Sequence, residues 1–204
     1  MNSSILIVQN SRVQAELLKR FLEEGKFKVL KASSGMEALE IAKENDLDLI
    51  ISDVNMTEMG GYELCAKVKE DASLKGIPVA VVTALSGKET LFKCLTNNVD
   101  YLFTKPYDSE YILSTVNRIL IDQSNNCYEE YPEVLDFDYL GETHQIKTTG
   151  RKVFNLLLSI NRGAAKQNRE LEKAQKEVLA VNESLEKQNN EKTKEINDRK
   201  RAES

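Results

Sequence analysis

Five short apolar runs constrain this chain more than anything else in it: Ile5–Val8, Val29–Ala32, Leu49–Ser52, Val79–Thr83 and Tyr101–Phe103. Each is nearly continuous in apolar residues, which marks a strand buried on both faces, since a sheet with one wet face alternates apolar and polar positions. Such strands need cover above and below. That cover lies between them, where Val13, Leu17, Leu18, Phe21 and Leu22, and later Ile112, Leu113, Val116, Ile119 and Leu120, recur at helical spacing, so that each segment presents one apolar stripe. Three helix starts follow directly on a strand and carry a capping box: Ser11 with Gln14, Ser34 with Glu37, Ser86 with Glu89. The serine oxygen takes a free backbone N–H and the later side chain reaches back. Strand and helix alternating in this way predict an α/β, doubly wound, five-stranded parallel sheet with right-handed crossovers and helices on both faces.

The alternation stops near residue 122, and a first domain over 1–122 is expected. Residues 123–136 are polar and turn-rich, as in a linker. Phe137 to Ile146 then alternates large apolar and polar residues around Gly141-Glu142, which predicts a small β-hairpin within a 123–150 segment. A lone hairpin is marginal in water, so this one must dock on something. Over 151–204 a heptad can be laid down with Leu157, Ala164, Leu171, Val178, Leu185 and Lys192 at one seam position, and Val153, Ile160, Gln167, Ala174, Val181, Gln188 and Glu195 at the other. That predicts a helix of ~45 residues, ~65–70 Å long, whose narrow stripe is most simply covered by the same helix of a second copy. The chain stops at Ser204 inside a helical pattern, as though cut ahead of a further domain.

With 28 basic and 33 acidic side chains the net charge is −5, which builds no positive field for nucleic acid. Cys65, Cys94 and Cys127 are widely spaced and odd in number, supplying neither a disulfide framework nor a paired metal motif, as in a reducing cytosol. Cys65 and Cys94 fall in apolar helical patterns and read as small core residues. No apolar run approaches the ~18–20 residues of a membrane span, and the amino terminus lacks the features of a signal peptide, so a cytoplasmic location is expected.

In a doubly wound sheet, ligands bind outside the carboxyl ends of the strands. The polar residues expected there are Gln9 and Asn10 after the first strand, Asp53 after the third, Thr83 after the fourth and Lys105 after the fifth. One carboxylate, one hydroxyl and one ammonium converging on a rim are suited to receiving a phosphoryl group. The carboxylate attacks as nucleophile to form an acyl phosphate, the ammonium balances the added charge and the hydroxyl donates to a phosphoryl oxygen. A plain ion pair of Asp53 with Lys105 accounts for the same residues taken singly.

Four stretches match together in order and spacing: Ile5-Leu6-Ile7-Val8; Asp48-Leu49-Ile50-Ile51-Ser52-Asp53-Val54-Asn55-Met56 with Met59-Gly60-Gly61-Tyr62-Glu63-Leu64; Pro78-Val79-Ala80-Val81-Val82-Thr83-Ala84; and Phe103-Thr104-Lys105-Pro106-Tyr107-Asp108. In these, residues 1–122 resemble a response-regulator receiver domain of two-component signalling. The resemblance implies a flavodoxin-like fold with strand order 2-1-3-4-5. It also implies that Asp53 accepts phosphate from a sensor histidine kinase or phosphotransfer protein, and that Thr83 and Lys105 contact the phosphoryl group. By the same resemblance Asn55 gives a backbone carbonyl to Mg2+, in a site that Asp53 and the Asn10 amide complete. The downstream hairpin and Glu/Lys helix resemble, more weakly, linkers that join a receiver to later sensor or kinase domains.

The chain departs from the family pattern in ways that bear on mechanism. Gln9 and Asn10 replace two adjacent acidic residues, and Mg2+ is held largely by carboxylates, so weak metal binding and inefficient phosphorylation are expected. The loss of two negative charges should let Asp53 pair with Lys105 without metal. Thr57 replaces a proline, Gly60 an aspartate, and Leu102 stands where the family places a switch aromatic; Tyr101 and Phe103 beside it should point to the other face. His144 lies in the hairpin and reads as an ordinary strand residue, so no kinase core is present and no enzymatic activity beyond slow self-dephosphorylation is expected. The leading expectation is a phosphoacceptor module relaying a signal through a dimeric helix. The alternative is a pseudo-receiver that docks a partner through the face of helix four, strand five and helix five without phosphate. A phosphohydrolase, which needs a second Asp two positions after the first as general acid, is disfavoured by Asn55.

Overall fold

A computed structural model of the chain describes residues 3–84, 87–124, 133–139 and 141–202. Ser86 and Cys127 lie outside the described residues. In chain order the elements are β1 (Ser4–Val8), α1 (Arg12–Glu24), β2 (Lys28–Ala32), α2 (Gly35–Glu44), β3 (Leu49–Asp53), α3 (Gly61–Glu70), β4 (Val79–Thr83), α4 (Lys88–Thr96), β5 (Tyr101–Thr104), α5 (Ser109–Ser124), β6 (Glu133–Tyr139), β7 (Glu142–Thr148) and α6 (Gly150–Ala202). The first five strands form one parallel sheet in the order β2-β1-β3-β4-β5.

Side chains alternate across a strand, and this divides the apolar runs between two cores. Ile5, Ile7, Leu49, Ile51, Val82 and Phe103 meet Leu18 and Leu22 of α1 and Ile112, Val116 and Ile119 of α5. Leu6, Val8, Ile50, Val81 and Leu102 meet Ala38 of α2, Leu64 and Cys65 of α3, and Cys94 and Leu95 of α4. Leu102 thus faces the α4 side while Tyr101 and Phe103 face α5, as strand alternation requires. The second run departs from the expectation of burial on both faces. β2 is an edge strand, with Lys28 and Lys31 exposed and Val29 and Leu30 half-buried, and edge lysines discourage pairing with another sheet.

The helix starts show where the capping reading holds and where it does not. Ser11 Oγ accepts from the Gln14 amide at 3.5 Å, and Ser34 Oγ from the Glu37 amide at 3.2 Å. The return half differs: Glu37 accepts from Ser33 N at 2.8 Å and Ser33 Oγ at 2.6 Å, and the Gln14 side chain turns elsewhere.

The second sheet is the hairpin β6-β7, antiparallel with Phe137 opposite His144 and Tyr139 opposite Glu142. It begins earlier than the alternation predicts, at Glu133, and Gly141 supplies a left-handed residue (φ 86°) at the turn. The hairpin docks on α4. The Tyr139 ring stacks on Phe92 at 4.3 Å, the His144 ring meets the same Phe92 edge-on at 4.8 Å, and Ile146 enters the α4-side core.

The chain divides into two compact units, Met1–Gly163 and Ala164–Ser204. α6, at 53 residues, exceeds the expected length. Its opening turns belong to the first unit, where Leu156 is fully buried and Val153 and Ile160 pack against the α4-side core. Lys152 pairs with Asp100 at 2.9 Å and Arg151 with Asp122 of α5 at 3.3 Å. Gly163 abuts Thr104 so closely that a Cβ there would stand 2.3 Å from the Thr104 hydroxyl oxygen. Val153 and Ile160, which the heptad assigned to a partner helix, are therefore covered within the chain's own body. In the second unit Leu171, Val178, Val181 and Leu185 are each more than half exposed.

Candidate functional site

Parallel pairing carries the carboxyl ends of β1, β3, β4 and β5 to one rim, and the register sets what meets there. Val8 lies opposite Ser52, so the next residues, Gln9 and Asp53, end adjacent strands side by side. Asp53 pairs with Val82, and Thr83 with Thr104, which places Lys105 at the following position. The Lys105 backbone N–H donates to Thr83 O at 2.8 Å and ties the two strand ends together.

Asp53 is buried, with 6% of its surface exposed. Its Oδ2 accepts from Lys105 Nζ at 2.5 Å, and its Oδ1 from the Asn55 backbone N–H at 3.1 Å. Lys105 Nζ also donates to Gln14 Oε1 at 2.9 Å, so α1 helps to aim the ammonium. α3 begins hard against the same residue: a Cβ at Gly61 would lie 2.5 Å from the Asp53 carbonyl oxygen, an approach that only glycine permits without displacing backbone. Thr83 is buried at the rim with 3% exposed. The predicted ion pair of Asp53 and Lys105 is present, and Thr83 stands at the end of the neighbouring strand.

Two participants, Gln14 and Tyr107, are not legible in the sequence, and neither is the state of Gln9. Gln14 was read as the return half of a helix cap; it becomes a ligand of Lys105 only once α1 is laid across the strand ends. Gln9 is expected at this rim in place of an acid, and the structure adds its state there. It is 3% exposed, and both its Nε2 and Oε1 are buried without a hydrogen-bond partner. The second participant is Tyr107. Burial pushes its phenol above the usual tyrosine range, the neighbouring Gln9 side chain opposes that rise and the Asp53 charge adds to it. Its hydroxyl nonetheless does not reach hydrogen-bond geometry with Gln9. The nearest sequence signal for Tyr107 is its place two residues after Lys105.

The magnesium ion implied by the resemblance finds a donor set that does not fit it. Mg2+ demands near-octahedral oxygen ligation anchored by carboxylates. Asp53 is the one acidic side chain that the predicted ligands contribute, and both its oxygens are engaged. Asn10 and Asn55 are exposed, and among the described residues no group of three or more His, Cys, Asp or Glu could hold a metal.

The face of α4, β5 and α5, which the pseudo-receiver reading needs for a partner, is not open. The hairpin covers Phe92 of α4, Lys152 and Gly163 of α6 sit on Asp100 and Thr104 at the two ends of β5, and Arg151 holds Asp122 of α5. Cys65 and Cys94 are buried, and burial pushes each thiol up to about 12, as expected of core residues.

A family profile described as the response regulator receiver domain matches residues 5–117. Curated relatives include the probable transcriptional regulator ycf29 of Pyropia yezoensis, 33% identical over 120 residues, or 59% of this chain and 54% of that protein. Histidine kinase P4 of Formosa agariphila is 36% identical over 118 residues, 58% of this chain and 8% of the relative. The polar-differentiation response regulator DivK of Brucella ovis is 29% identical over 122 residues, 60% of this chain and 99% of the relative. The chain thus spans about half of the first relative and under a tenth of the second. Among solved structures, the Vibrio cholerae chemotaxis protein CheY4 superposes with a TM-score of 0.57 at 28% identity, covering 59% of this chain and all of that one. The signal receiver domain of a Syntrophus aciditrophicus signal transduction histidine kinase gives 0.56 at 38% identity, covering 66% and 99%.

Proposed function

The chain belongs to the response-regulator receiver family of two-component signalling, and from that premise we propose that it is a phosphoacceptor module with Asp53 as the accepting residue. The observation that carries this reading is the Asp53–Lys105 pair at the strand-end rim, a carboxylate held at 2.5 Å by an ammonium that can stay in place as charge builds on it. The donor is a sensor histidine kinase or a phosphotransfer protein. A carboxylate oxygen of Asp53 bonds to phosphorus as the donor's bond to phosphorus breaks, and Lys105 offsets the charge of about −2 that arrives. Thr83 supplies a hydroxyl at the rim. The product is an acyl phosphate whose slow hydrolysis is the only turnover, so the module signals and does not act as an enzyme.

The relay runs through α6 to a downstream domain, with α6 pairing in a homodimer in the cytoplasm. Support comes from the repeating Leu171, Val178, Val181 and Leu185, which are exposed in one copy and spaced as a coiled-coil seam. Among the described residues no helix is long and apolar enough to cross a membrane.

The test is incubation of the whole chain with acetyl phosphate followed by intact-mass measurement. A gain of one phosphoryl group, lost in Asp53→Asn, is expected. An unmodified wild type would favour the second reading, a pseudo-receiver that works as a dimerisation module without phosphate. Gln9 and Asn10 favour that reading; its docking face is already occupied by the chain's own hairpin and α6.

A further inference from the structure

Resting on the phosphoacceptor reading, we propose that this site takes its phosphoryl group without a divalent metal, with the buried Gln9 amide donating to a phosphoryl oxygen. The first support is the state of Gln9 itself. A primary amide buried with neither polar atom bonded is destabilising, and native interiors keep few such groups without a reason. A donor awaiting an acceptor is such a reason. The second is position: the β1–β3 register sets Gln9 one strand from Asp53, and neighbouring strands lie about 4.8 Å apart, so a phosphoryl group on the carboxylate comes within the amide's reach.

Charge counting points the same way. With Lys105 beside it, a phosphorylated Asp53 leaves the pair with a net charge of about −1. Two acids in place of Gln9 and Asn10 would bring it to about −3, a charge that needs a divalent cation. Here the repulsion is removed instead of neutralised. When Nε2 turns to the phosphoryl oxygen, Oε1 is free to turn to the Tyr107 hydroxyl, which borders it. The step balances without a metal. With acetyl phosphate as donor, an Asp53 oxygen bonds to phosphorus, the acetyl oxygen–phosphorus bond breaks, and acetate leaves with the electron pair, requiring neither a proton nor an oxidant.

The experiment measures phosphoryl incorporation from acetyl phosphate by intact mass, on the whole chain, in EDTA and in excess Mg2+, for wild type, Gln9→Leu, Gln9→Glu and the double variant Gln9→Asp/Asn10→Asp. Wild type is expected to label at equal rates in both buffers. Gln9→Leu should label about a hundredfold more slowly, as loss of one oxyanion donor does, while melting no lower than wild type, because the orphan amide is gone. A merely structural Gln9 would not separate those two readouts. Gln9→Glu keeps the shape and lacks the N–H, so it should be slow too should Gln9→Leu prove unfolded. The double variant should label only with Mg2+. Wild-type labelling confined to Mg2+ overturns this inference and leaves the phosphoacceptor reading standing. No wild-type labelling in either buffer overturns both.

Discussion

Lys105 holds the centre of the rim, and its removal has a definite cost. Lys105→Ala leaves the Asp53 carboxylate buried beside Gln14 with no cation, and breaking a buried pair from one side costs about 3 kcal/mol. The urea midpoint should fall accordingly. Adding Asp53→Asn to the same chain should recover part of the loss, since the uncompensated charge goes with it. The two buried thiols give a separate, pH-dependent signature. Each is raised from 9.0 to about 12 in the folded chain, so the unfolded state releases these protons first as pH rises. Their contribution is complete below about pH 9 and declines between there and pH 12, and thermal melts across that window should fall less steeply in Cys94→Ala. Asp53 and Lys105 were legible in the sequence because each ends an apolar run, and strand ends share a rim. Gln14 was not. Its partner is 91 residues away, and its local capping pattern was satisfied by the backbone alone.

At the scale of elements, α6 shows what periodicity conveys and what it omits. An apolar stripe records that something covers a helix face, and Val153 and Ile160 carry the same spacing as Leu171 and Val178 although the chain's own core covers the first pair. The second run departs from its expected burial for a related reason, because an edge strand and a central one share apolar composition and differ in their lysines. The junction of α6 with β5 gives a prediction whose sign decides between two effects. In an exposed helix Gly→Ala gains about 1 kcal/mol. At Gly163 the added methyl meets the Thr104 side chain at 2.3–2.6 Å, and overpacking costs about 1–3 kcal/mol. Gly163→Ala is therefore expected to lower the melting temperature, and Thr104→Ser in the same chain to restore some of it.

For the whole molecule, the seam beyond Gly163 predicts assembly that is independent of the folding of the first unit. Replacing Leu171, Val178 and Leu185 together by lysine should convert a dimer to a monomer by sedimentation equilibrium, with the main unfolding transition unchanged. The broad architecture was readable because five apolar runs and their caps agree with one another. The covering of the α4, β5 and α5 face was not, since Tyr139, His144 and Leu156 advertise no target in their own sequence. That covering decides where the protein tolerates dissection. A fragment ending at Ser124 would lose the ring stacked on Phe92 and the Ile146 and Leu156 side chains from the α4-side core, leaving a bare, sticky patch open to water. The shortest piece that behaves well in solution should extend to Gly163, well past residue 122, where the sheet-and-helix alternation of the family resemblance ends.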